Sequence, residues 1–236
     1  MHTNASALGF LAFVGLVLAV LGGGVVLLAG LVARRWTLVL TTLGLGLIAL
    51  TGYGAALAGV ALASRDVVLG AGQEKHICEV DCHVAYAVTG VRTARALGAD
   101  GRSATAGGTF YVVTVRVRFD PTTTSPRRPM DVPVYPGLRR VLVVDGRGRT
   151  FAPSAAGAVA LAATDGAPAS LSQPLLPAAS YTTTLVFDLP ADVRGPRLLI
   201  ADADPTKAMV VGHENSPLHG RTYFELRDGS WVVGDR

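Results

Sequence analysis

Two long apolar stretches open the chain, and a short polar connection separates them. Residues 7–32 and 38–63 carry no charged side chain. As helices rising 1.5 Å per residue, runs of about 26 residues would each be roughly 39 Å long, against a hydrocarbon core of about 30 Å. Backbone amides inside a bilayer must be bonded within their own segment, which favours helices. The sequence therefore predicts a transmembrane hairpin over residues 1–63.

The connection between the two runs sets the expected orientation. Arg34 and Arg35 lie in this short loop, and short loops that bear Lys or Arg stay on the cytoplasmic side. A cleavable signal peptide fits poorly, because no Lys or Arg precedes the first run and a second run follows at once. We therefore expect a multi-pass protein of the cytoplasmic membrane, with both termini and the C-terminal domain on the extracytoplasmic side.

Glycines recur through both apolar runs and would allow helix backbones to approach closely in lipid. This close approach can serve the hairpin itself, or it can serve a homo-oligomer or a protein partner. The glycines concerned are Gly22, Gly23, Gly24, Gly44, Gly46, Gly52, Gly54 and Gly59.

In the rest of the chain, hydrophobic and polar residues alternate with a period of two. Tyr111, Val113 and Val115 share one face of a predicted strand over residues 109–119, and Thr114 and Arg116 share the other, as in a sheet with one wet side. Further strands are expected at residues 84–95, 138–145, 150–151, 180–189, 196–202, 208–212 and 222–226. Residues 64–75 are expected to form a stalk, and residues 97–108 and 152–177 are expected to form loops without an amphipathic helix.

Short strands at this spacing predict a mainly β chain, with an antiparallel immunoglobulin-like β-sandwich over residues 76–236. The segments GTFYVVTVRVRFD, LVVDGRGRTF and LLPAASYTTTLVFDLP resemble the immunoglobulin-like (telokin-like) extracytoplasmic domains of unknown function found on bacterial membrane proteins and lipoproteins. They cover residues 108–120, 142–151 and 175–190. The resemblance implies a sandwich with an adhesive or ligand-binding role and no catalytic residues. This chain differs from many members in having two spans in place of a lipid anchor.

Composition and charge narrow the function classes. The chain has 236 residues, a mean hydropathy of +0.43 and a net charge of +4. Arg34 and Arg35 account for two of those charges (4 − 2 = 2), and the other basic residues are scattered among acids. A nucleic-acid-binding surface is therefore not expected. The bias toward Ala, Gly, Val and Arg is typical of bacteria with GC-rich genomes.

The two cysteines, Cys78 and Cys82, would lie on the oxidising side, where thiols usually pair. In an extended strand they would be roughly 13 Å apart, so a disulfide needs a turn between them. The alternative is a copper or zinc site formed by His76, Cys78, Cys82 and His83, because thiolates and imidazoles suit these metals. The chain is also similar to the copper subunit of respiratory oxidases in its two spans and C-x3-C spacing, although that family's ligands lie late in the sandwich. Covalent haem attachment would need C-x-x-C-H, in which the two cysteines are one residue closer together than Cys78 and Cys82.

Catalytic motifs do not occur in the sequence: it contains no G-x-S-x-G, no H-E-x-x-H and no glycine loop leading into a helix. Arg116 and Arg118 are expected to keep a strand face soluble or to bind an anion, and 202–204 and 213–214 are expected to be solvated turns. The sequence predicts a non-enzymatic extracytoplasmic binding or accessory module, anchored in the membrane and without a cofactor. The alternative is a metal-handling or electron-transfer protein.

Overall fold

A computed structural model describes residues 2–3, 7–78, 83–99, 101–123 and 127–227. The described residues fall into two compact units. One unit combines the N-terminal helices, residues 7–65, with residues 205–220. The other contains residues 2–3, 66–204 and 221–227. The helices and strands are α1 (Ala7–Val32), α2 (Trp36–Ala63), α3 (Ala155–Asp165), β1 (His2–Thr3), β2 (Val67–Leu69), β3 (Lys75–Ile77), β4 (Val84–Leu97), β5 (Ala104–Phe119), β6 (Arg139–Val144), β7 (Thr150–Phe151), β8 (Ser180–Leu189), β9 (Arg197–Asp202) and β10 (Thr222–Glu225).

Helices α1 and α2 pack against each other as a hairpin, and the turn between them is tightly bonded. The amide of Arg35 donates to the carbonyl of Gly30, and the amide of Arg34 donates to that of Leu31. This is a Schellman end, with Arg34 at the left-handed position (φ 51°) where glycine is usual. A Cβ on Gly30 would lie 3.0 Å from the side chain of Val39, so the two helices approach closely beside the turn.

The hairpin helices form where the sequence predicts them, with α2 beginning two residues earlier, at Trp36. Both are long and apolar enough to cross a membrane by length and composition, and their most apolar windows are almost wholly exposed. Leu47 and Ile48 in the middle of α2 are 68% and 70% exposed. An apolar helix pair that stays uncovered differs from the core helices of a soluble domain, which are mostly buried.

Residues 205–220 belong to the same unit as the hairpin. They form a 3₁₀ helix (Pro205–Met209) followed by consecutive turns. The amide of Val210 donates to the carbonyl of Lys207, that of His213 donates to Val210, and Gly212 has a φ of 76°. The strand predicted at residues 208–212 is therefore wrong, because local turns satisfy the backbone that a strand would pair.

The second unit is a β-sandwich of two mixed five-stranded sheets. Sheet A has the order β1-β3-β4-β5-β8, and sheet B has the order β2-β10-β9-β6-β7. Among the described strands, the parallel pairs are two pairs at sheet edges, β1 with β3 and β2 with β10. The long β4 and β5 pair from Val84↔Phe119 to Leu97↔Ala104, with two register shifts on the way. The predicted β-rich sandwich is confirmed, and its sheets are mixed instead of purely antiparallel.

The alternating residues of β5 divide the sandwich interior from its outer face. Val113, Val115, Val117 and Phe119 are fully buried between the sheets. From sheet B, the same core receives the inward side chains Val143, Leu198, Ile200 and Phe224. Arg116 and Arg118, at the alternate positions, lie on the outer face of sheet A. The period-two pattern thus placed the core correctly.

A short helix lies where the sequence analysis expects only a loop. Ser154 caps α3 by accepting a hydrogen bond from the amide of Gly157. Helix α3 covers Phe110 and Val112 on the outer face of sheet A. A Cβ on Gly157 would come within 2.6 Å of Val186, so glycine is required for this close packing. The loop expected over residues 152–177 is therefore wrong at residues 155–165, where alanines obscured the amphipathic period.

A second predicted loop and the predicted stalk also contain strand residues. Residues 97–108 were expected to be a loop, yet β4 continues to Leu97 and β5 begins at Ala104. Small residues extend this hairpin because the backbone ladder does not need large side chains. Residues 67–69, within the predicted stalk, form β2 and pair with β10.

Candidate functional site

The densest group of ionisable side chains in the described chain lies on the outer face of sheet A. We call Glu74, His76, Arg116, Arg118 and Asp120 the charged cluster. Residues two apart in a strand point to the same face, which aligns the side chains of β5 and of the segment leading into β3. The ladder sets His76 opposite Ala85, and Ala85 opposite Arg118. The small side chain of Ala85 leaves room for the long ones on either side to meet.

Arg118 is the centre of the charged cluster. Its Nε and Nη2 donate to the two carboxylate oxygens of Glu74, at 2.8 and 2.6 Å, a bidentate pairing. The same Nη2 donates to Oδ2 of Asp120 at 3.2 Å. Arg116 adds a hydrogen bond to Glu74 at 3.2 Å. The two carboxylates and the two guanidinium groups therefore balance each other in charge.

Asp120 is bonded on both of its oxygens. Its Oδ2 lies 2.9 Å from Nε2 of His76, and its Oδ1 accepts hydrogen bonds from the amide and the hydroxyl of Thr122, at 3.0 and 2.7 Å. His76 is buried, and its Nδ1 has no hydrogen-bond partner among the described residues. The end of β5 is thereby fixed to β3 through side chains as well as through β4.

These contacts shift the pKa values of the acidic groups downward. Burial opposes the ionisation of Asp120, but the hydrogen bonds from Thr122 and His76 and the charge of Arg118 together lower its pKa well below the usual range. Hydrogen bonding from Arg118 lowers the pKa of Glu74 despite its partial burial. In return, the bond to Glu74 raises the pKa of Arg118. Both carboxylates are therefore ionised at neutral pH.

The cluster also contains a group of potential metal ligands. One ligand atom each from Glu74, His76 and Asp120 lies within 4.8 Å of the others. Two carboxylate oxygens and one imidazole nitrogen suit Zn²⁺ or a similar divalent cation. A cation there would have to displace Arg118, which already neutralises both carboxylates. The arrangement fits an ion-pair network better than a cation site.

The two histidines of the sequence-predicted metal site have different partners in the structure. His76 joins the charged cluster, whereas His83 stacks on Phe119 at 5.2 Å between ring centroids and bonds Thr123 through Nδ1 at 2.9 Å. Cys78 is buried. Cys82 lies outside the described residues, so the predicted disulfide and the predicted His/Cys metal set both remain predictions. Among the described residues, the potential metal group contains neither Cys78 nor His83.

Several polar residues differ from the solvated roles that the sequence suggested. Arg116 and Arg118 are engaged in ion pairs, not simply solubilising a face. Asp202, His213 and Glu214 are buried, so the expectation of solvated turns at these positions is wrong. Glu74 and Asp120 were missed because they lie just outside the strands. The alternation of Glu74 with His76, and of Arg116 with Arg118 and Asp120, is the signal that could have linked them.

Lys75 points in the opposite direction, into the sandwich. It is completely buried, and its Nζ donates to the carbonyls of Ile200 at 2.6 Å and Thr222 at 3.1 Å. These carbonyls belong to β9 and β10 of sheet B, whereas Lys75 belongs to β3 of sheet A. Lys75 therefore joins the two sheets. A buried lysine with such contacts serves the architecture and is not exposed to a ligand.

A groove of about 340 Å³ runs between residues 168–172 and β8. Two of its lining hydroxyl groups are already bonded: Ser172 donates to the carbonyl of Gly137 at 2.7 Å, and Thr183 donates to that of Ala169 at 2.5 Å. The groove is of a size that small ligands occupy, but its neighbouring polar groups serve the loop itself. It is a secondary candidate beside the charged cluster.

Comparison with known proteins gives a fold likeness only. No protein-family model matches the chain, and no curated protein matches it significantly. A conserved hypothetical protein from Bacillus anthracis is 14% identical with a TM-score of 0.39, covering 66% of this chain and 96% of its own. The secreted protein MPT63 from Mycobacterium tuberculosis is 11% identical with a TM-score of 0.41, covering 68% and 97%. An uncharacterised β-sandwich protein from Clostridium difficile is 8% identical with a TM-score of 0.37, covering 70% and 96%. Likeness at this level carries no argument about function.

Proposed function

We propose that this protein is a membrane-anchored extracytoplasmic β-sandwich that acts by binding or as an accessory subunit, without catalysis. The observation that carries the proposal is the hairpin: helices of 26 and 28 residues whose apolar side chains remain uncovered. Exposing that many leucines and valines to water would be unfavourable, at about 25 cal/mol for each Å² of apolar surface. A bilayer removes this cost.

The orientation follows from the turn of the hairpin. Arg34 and Arg35 concentrate two positive charges between α1 and α2, which supports a cytoplasmic turn and an extracytoplasmic sandwich. An oxidising compartment would in turn favour the disulfide between Cys78 and Cys82. The finer likeness to immunoglobulin-like (telokin-like) extracytoplasmic domains belongs to the same proposal.

A binding or accessory role is supported by the way the polar groups are used. The charged cluster is the strongest candidate for chemistry, and its carboxylates and guanidinium groups are paired with one another. It is suited to holding the edge of sheet A in place, and it lacks a free nucleophile or base beside an open cavity among the described residues. The exposed loops of the sandwich are then the natural place for recognition.

Partners in the membrane are supported by the glycines of the hairpin. Gly22, Gly24, Gly44 and Gly46 would meet nothing within 4 Å among the described residues if they carried a Cβ. These positions leave room for another helix backbone, from a second copy or from a different subunit. By contrast, a Cβ on Gly23 or Gly30 would lie within 4 Å of a side chain of the opposite helix, that of Thr42 or Val39.

The metal-handling alternative rests on one observation, the three ligand atoms of Glu74, His76 and Asp120 within 4.8 Å. The two arginines weigh against it. Elemental analysis of the purified full chain separates the two proposals: stoichiometric zinc or copper would support metal handling, and its absence after incubation with each metal would support the paired cluster.

Membrane anchoring is tested by substitutions at the centres of both hairpin helices. Replacing Leu18 and Leu21 of α1, together with Leu47 and Ile48 of α2, by arginine costs about 2.5 to 3.5 kcal/mol per residue in a membrane span. We expect this variant to leave the membrane fraction on alkaline carbonate extraction, whereas the wild type is retained. The matched control is Val159→Arg, at a 66% exposed position on α3 of the sandwich, which should be retained. Equal retention of the variant with arginines in both helices would contradict anchoring by the hairpin.

A further inference from the structure

Residues 205–220, which we call the collar, contact the end of the hairpin where α1 begins and α2 ends. Tyr53 donates a hydrogen bond through its hydroxyl to the carbonyl of Met209 at 2.6 Å. Lys207 places its Nζ 5.7 Å from the ring centre of Phe10. Gly220 donates to the hydroxyl of Ser64 at 2.6 Å. These contacts lie near the start of α1 and toward the end of α2, at the end opposite the Arg34 turn.

The position of the collar matches the length by which the hairpin exceeds a bilayer. A hydrocarbon core of about 30 Å takes about 20 helical residues. Counted from the turn, about 20 residues of α1 reach residue 13, and about 20 residues of α2 reach residue 55. Phe10 and Ser64 lie beyond these limits, and Tyr53 lies at the rim, where aromatic residues favour the membrane interface. The collar therefore contacts the hairpin at the rim of the hydrocarbon and in the part that protrudes from it.

Exposed apolar side chains on the collar have no protein to cover them within the described chain. Met209 is 54% exposed and Leu218 is 77% exposed. Leu218 also adopts a left-handed backbone conformation, with a φ of 64°, which residues with a side chain rarely occupy. The collar is nonetheless well ordered internally, because the hydroxyl of Ser216 donates to the carbonyl of Val210 at 2.7 Å. A fixed conformation thus presents a leucine outward.

A cavity between the collar and the two helices is also lined mainly by apolar side chains. It measures about 350 Å³ and lies between Val211 and Gly212 of the collar and the two helices. Leu8, Ala56 and Val60 contribute apolar walls from the helices. Empty apolar cavities do not attract water, whereas acyl chains suit such walls.

We propose that the collar is a lipid-binding element that lies in the outer interface of the bilayer, with Met209 and Leu218 entering the acyl boundary. The ligand class is the membrane lipid itself. Lys207 would remain at the depth of the phosphates, since long basic side chains extend toward polar surroundings. The collar would set the depth of the hairpin. This inference rests on the proposed anchoring of the hairpin, which the experiment tests separately.

Depth-dependent fluorescence quenching tests the inference on the full chain in phosphatidylcholine vesicles. The native tryptophans are Trp36, at the hairpin turn, and Trp231. One single-tryptophan chain keeps Trp36 and replaces Trp231 by phenylalanine. In the other chains both native tryptophans are replaced by phenylalanine, and a tryptophan is introduced as Leu218→Trp or, independently, as Met209→Trp. The matched control is Val159→Trp on the sandwich. Lipids brominated near the headgroup or deep in the acyl chains quench the emission, and aqueous iodide reports exposure to water.

We expect shallow bromines to quench Leu218→Trp and Met209→Trp more than deep ones, and iodide to reach them several-fold less than Val159→Trp. Quenching of Trp36 by lipid without quenching of either collar site would overturn the collar proposal and leave the anchoring intact. If lipid quenches neither Trp36 nor the collar sites, the anchoring itself fails, and the collar proposal fails with it.

Discussion

Removing Arg118 is the most informative perturbation of the charged cluster. Arg118→Met keeps the aliphatic part of the side chain and deletes the guanidinium that bonds Glu74 at 2.6 and 2.8 Å and Asp120 at 3.2 Å. Ligand atoms of the two carboxylates lie within 4.8 Å of each other. Without Arg118 these two negative charges face each other with only Arg116 to offset one of them.

The size of the expected destabilisation follows from Coulomb's law. Two unit charges about 4.8 Å apart repel by about 3.5 kcal/mol at an effective dielectric constant of about 20. The side chains of Arg118 and Glu74 are 31% and 21% exposed, so solvent screens part of this energy. We expect Arg118→Met to lower the free energy of unfolding by about 2 to 3 kcal/mol at neutral pH. Such a change moves a urea midpoint by about 1 to 2 M.

The pH dependence should differ in sign between the two proteins. In the wild type the pKa values of Glu74 and Asp120 are lowered in the folded state, so their contribution is present above the unfolded pKa values near about 4 and is lost as the pH falls through the folded ones. In Arg118→Met the pKa of Glu74 loses the hydrogen bond that lowers it most and is raised by repulsion from Asp120, whereas Asp120 keeps its bonds from Thr122 and His76. Stability of the variant should then increase as the pH is lowered from about 7 to about 5.

Urea denaturation of the full chain in detergent, followed by near-ultraviolet circular dichroism, measures these changes. The matched control is Arg147→Met, which breaks an exposed pair with Asp192 at 3.2 Å and should cost at most about 1 kcal/mol. If the midpoint of Arg118→Met stays as close to the wild type as that of the control, and shows no opposite pH slope, the ion-pair account of the cluster is refuted.

The same variant tests whether Arg118 prevents the charged cluster from binding a metal ion. With the guanidinium removed, Glu74, His76 and Asp120 keep their ligand atoms and gain negative charge. Elemental analysis after zinc loading should therefore find zinc in Arg118→Met and none bound stoichiometrically in the wild type. Zinc in the wild type at one ion per chain would contradict the charge-balance argument.

Three further predictions concern the sandwich. Tyr86→Phe should lower the free energy of unfolding by about 1 to 3 kcal/mol, since it leaves the buried carbonyl of Leu171 without its 3.1 Å hydrogen bond; urea denaturation checks this. Gly108→Ala should destabilise at least as much, because its Cβ would lie 2.1 Å from a backbone carbonyl oxygen, and hydrogen exchange in β5 should rise. Cys78 and Cys82 should give no free thiol and a mass two hydrogens lower than the reduced chain; two titratable thiols would contradict the disulfide.

The sequence predicted best where one physical rule dominates. Uninterrupted apolar runs specified α1 and α2, and the alternation of Tyr111, Val113 and Val115 specified the buried face of β5. The prediction failed where the residues are small and show little hydrophobic periodicity. The alanine-rich α3 depends on a serine cap and on the close fit of Gly157 beneath Val186, and neither is visible as periodicity.

The charged cluster shows why sites are harder to predict than elements. His76 was singled out for its nearness in sequence to two cysteines, but its partner Asp120 is 44 residues away and comes close through the β3–β4–β5 ladder. Register decides such contacts, and register depends on bulges such as the one between Val88 and Gly90. The amino-acid composition does not indicate where these bulges occur.

We propose that the hairpin spans the membrane with its arginine turn inside and the sandwich outside. Labelling of single introduced cysteines by a membrane-impermeant maleimide tests it directly, with Ala33→Cys in the turn, Ala191→Cys on the exposed sandwich surface, and the wild type as the blank for the native cysteines. We predict that intact cells label Ala191→Cys and not Ala33→Cys, and that both are labelled once the membrane is opened. Labelling of Ala33→Cys in intact cells would contradict the account.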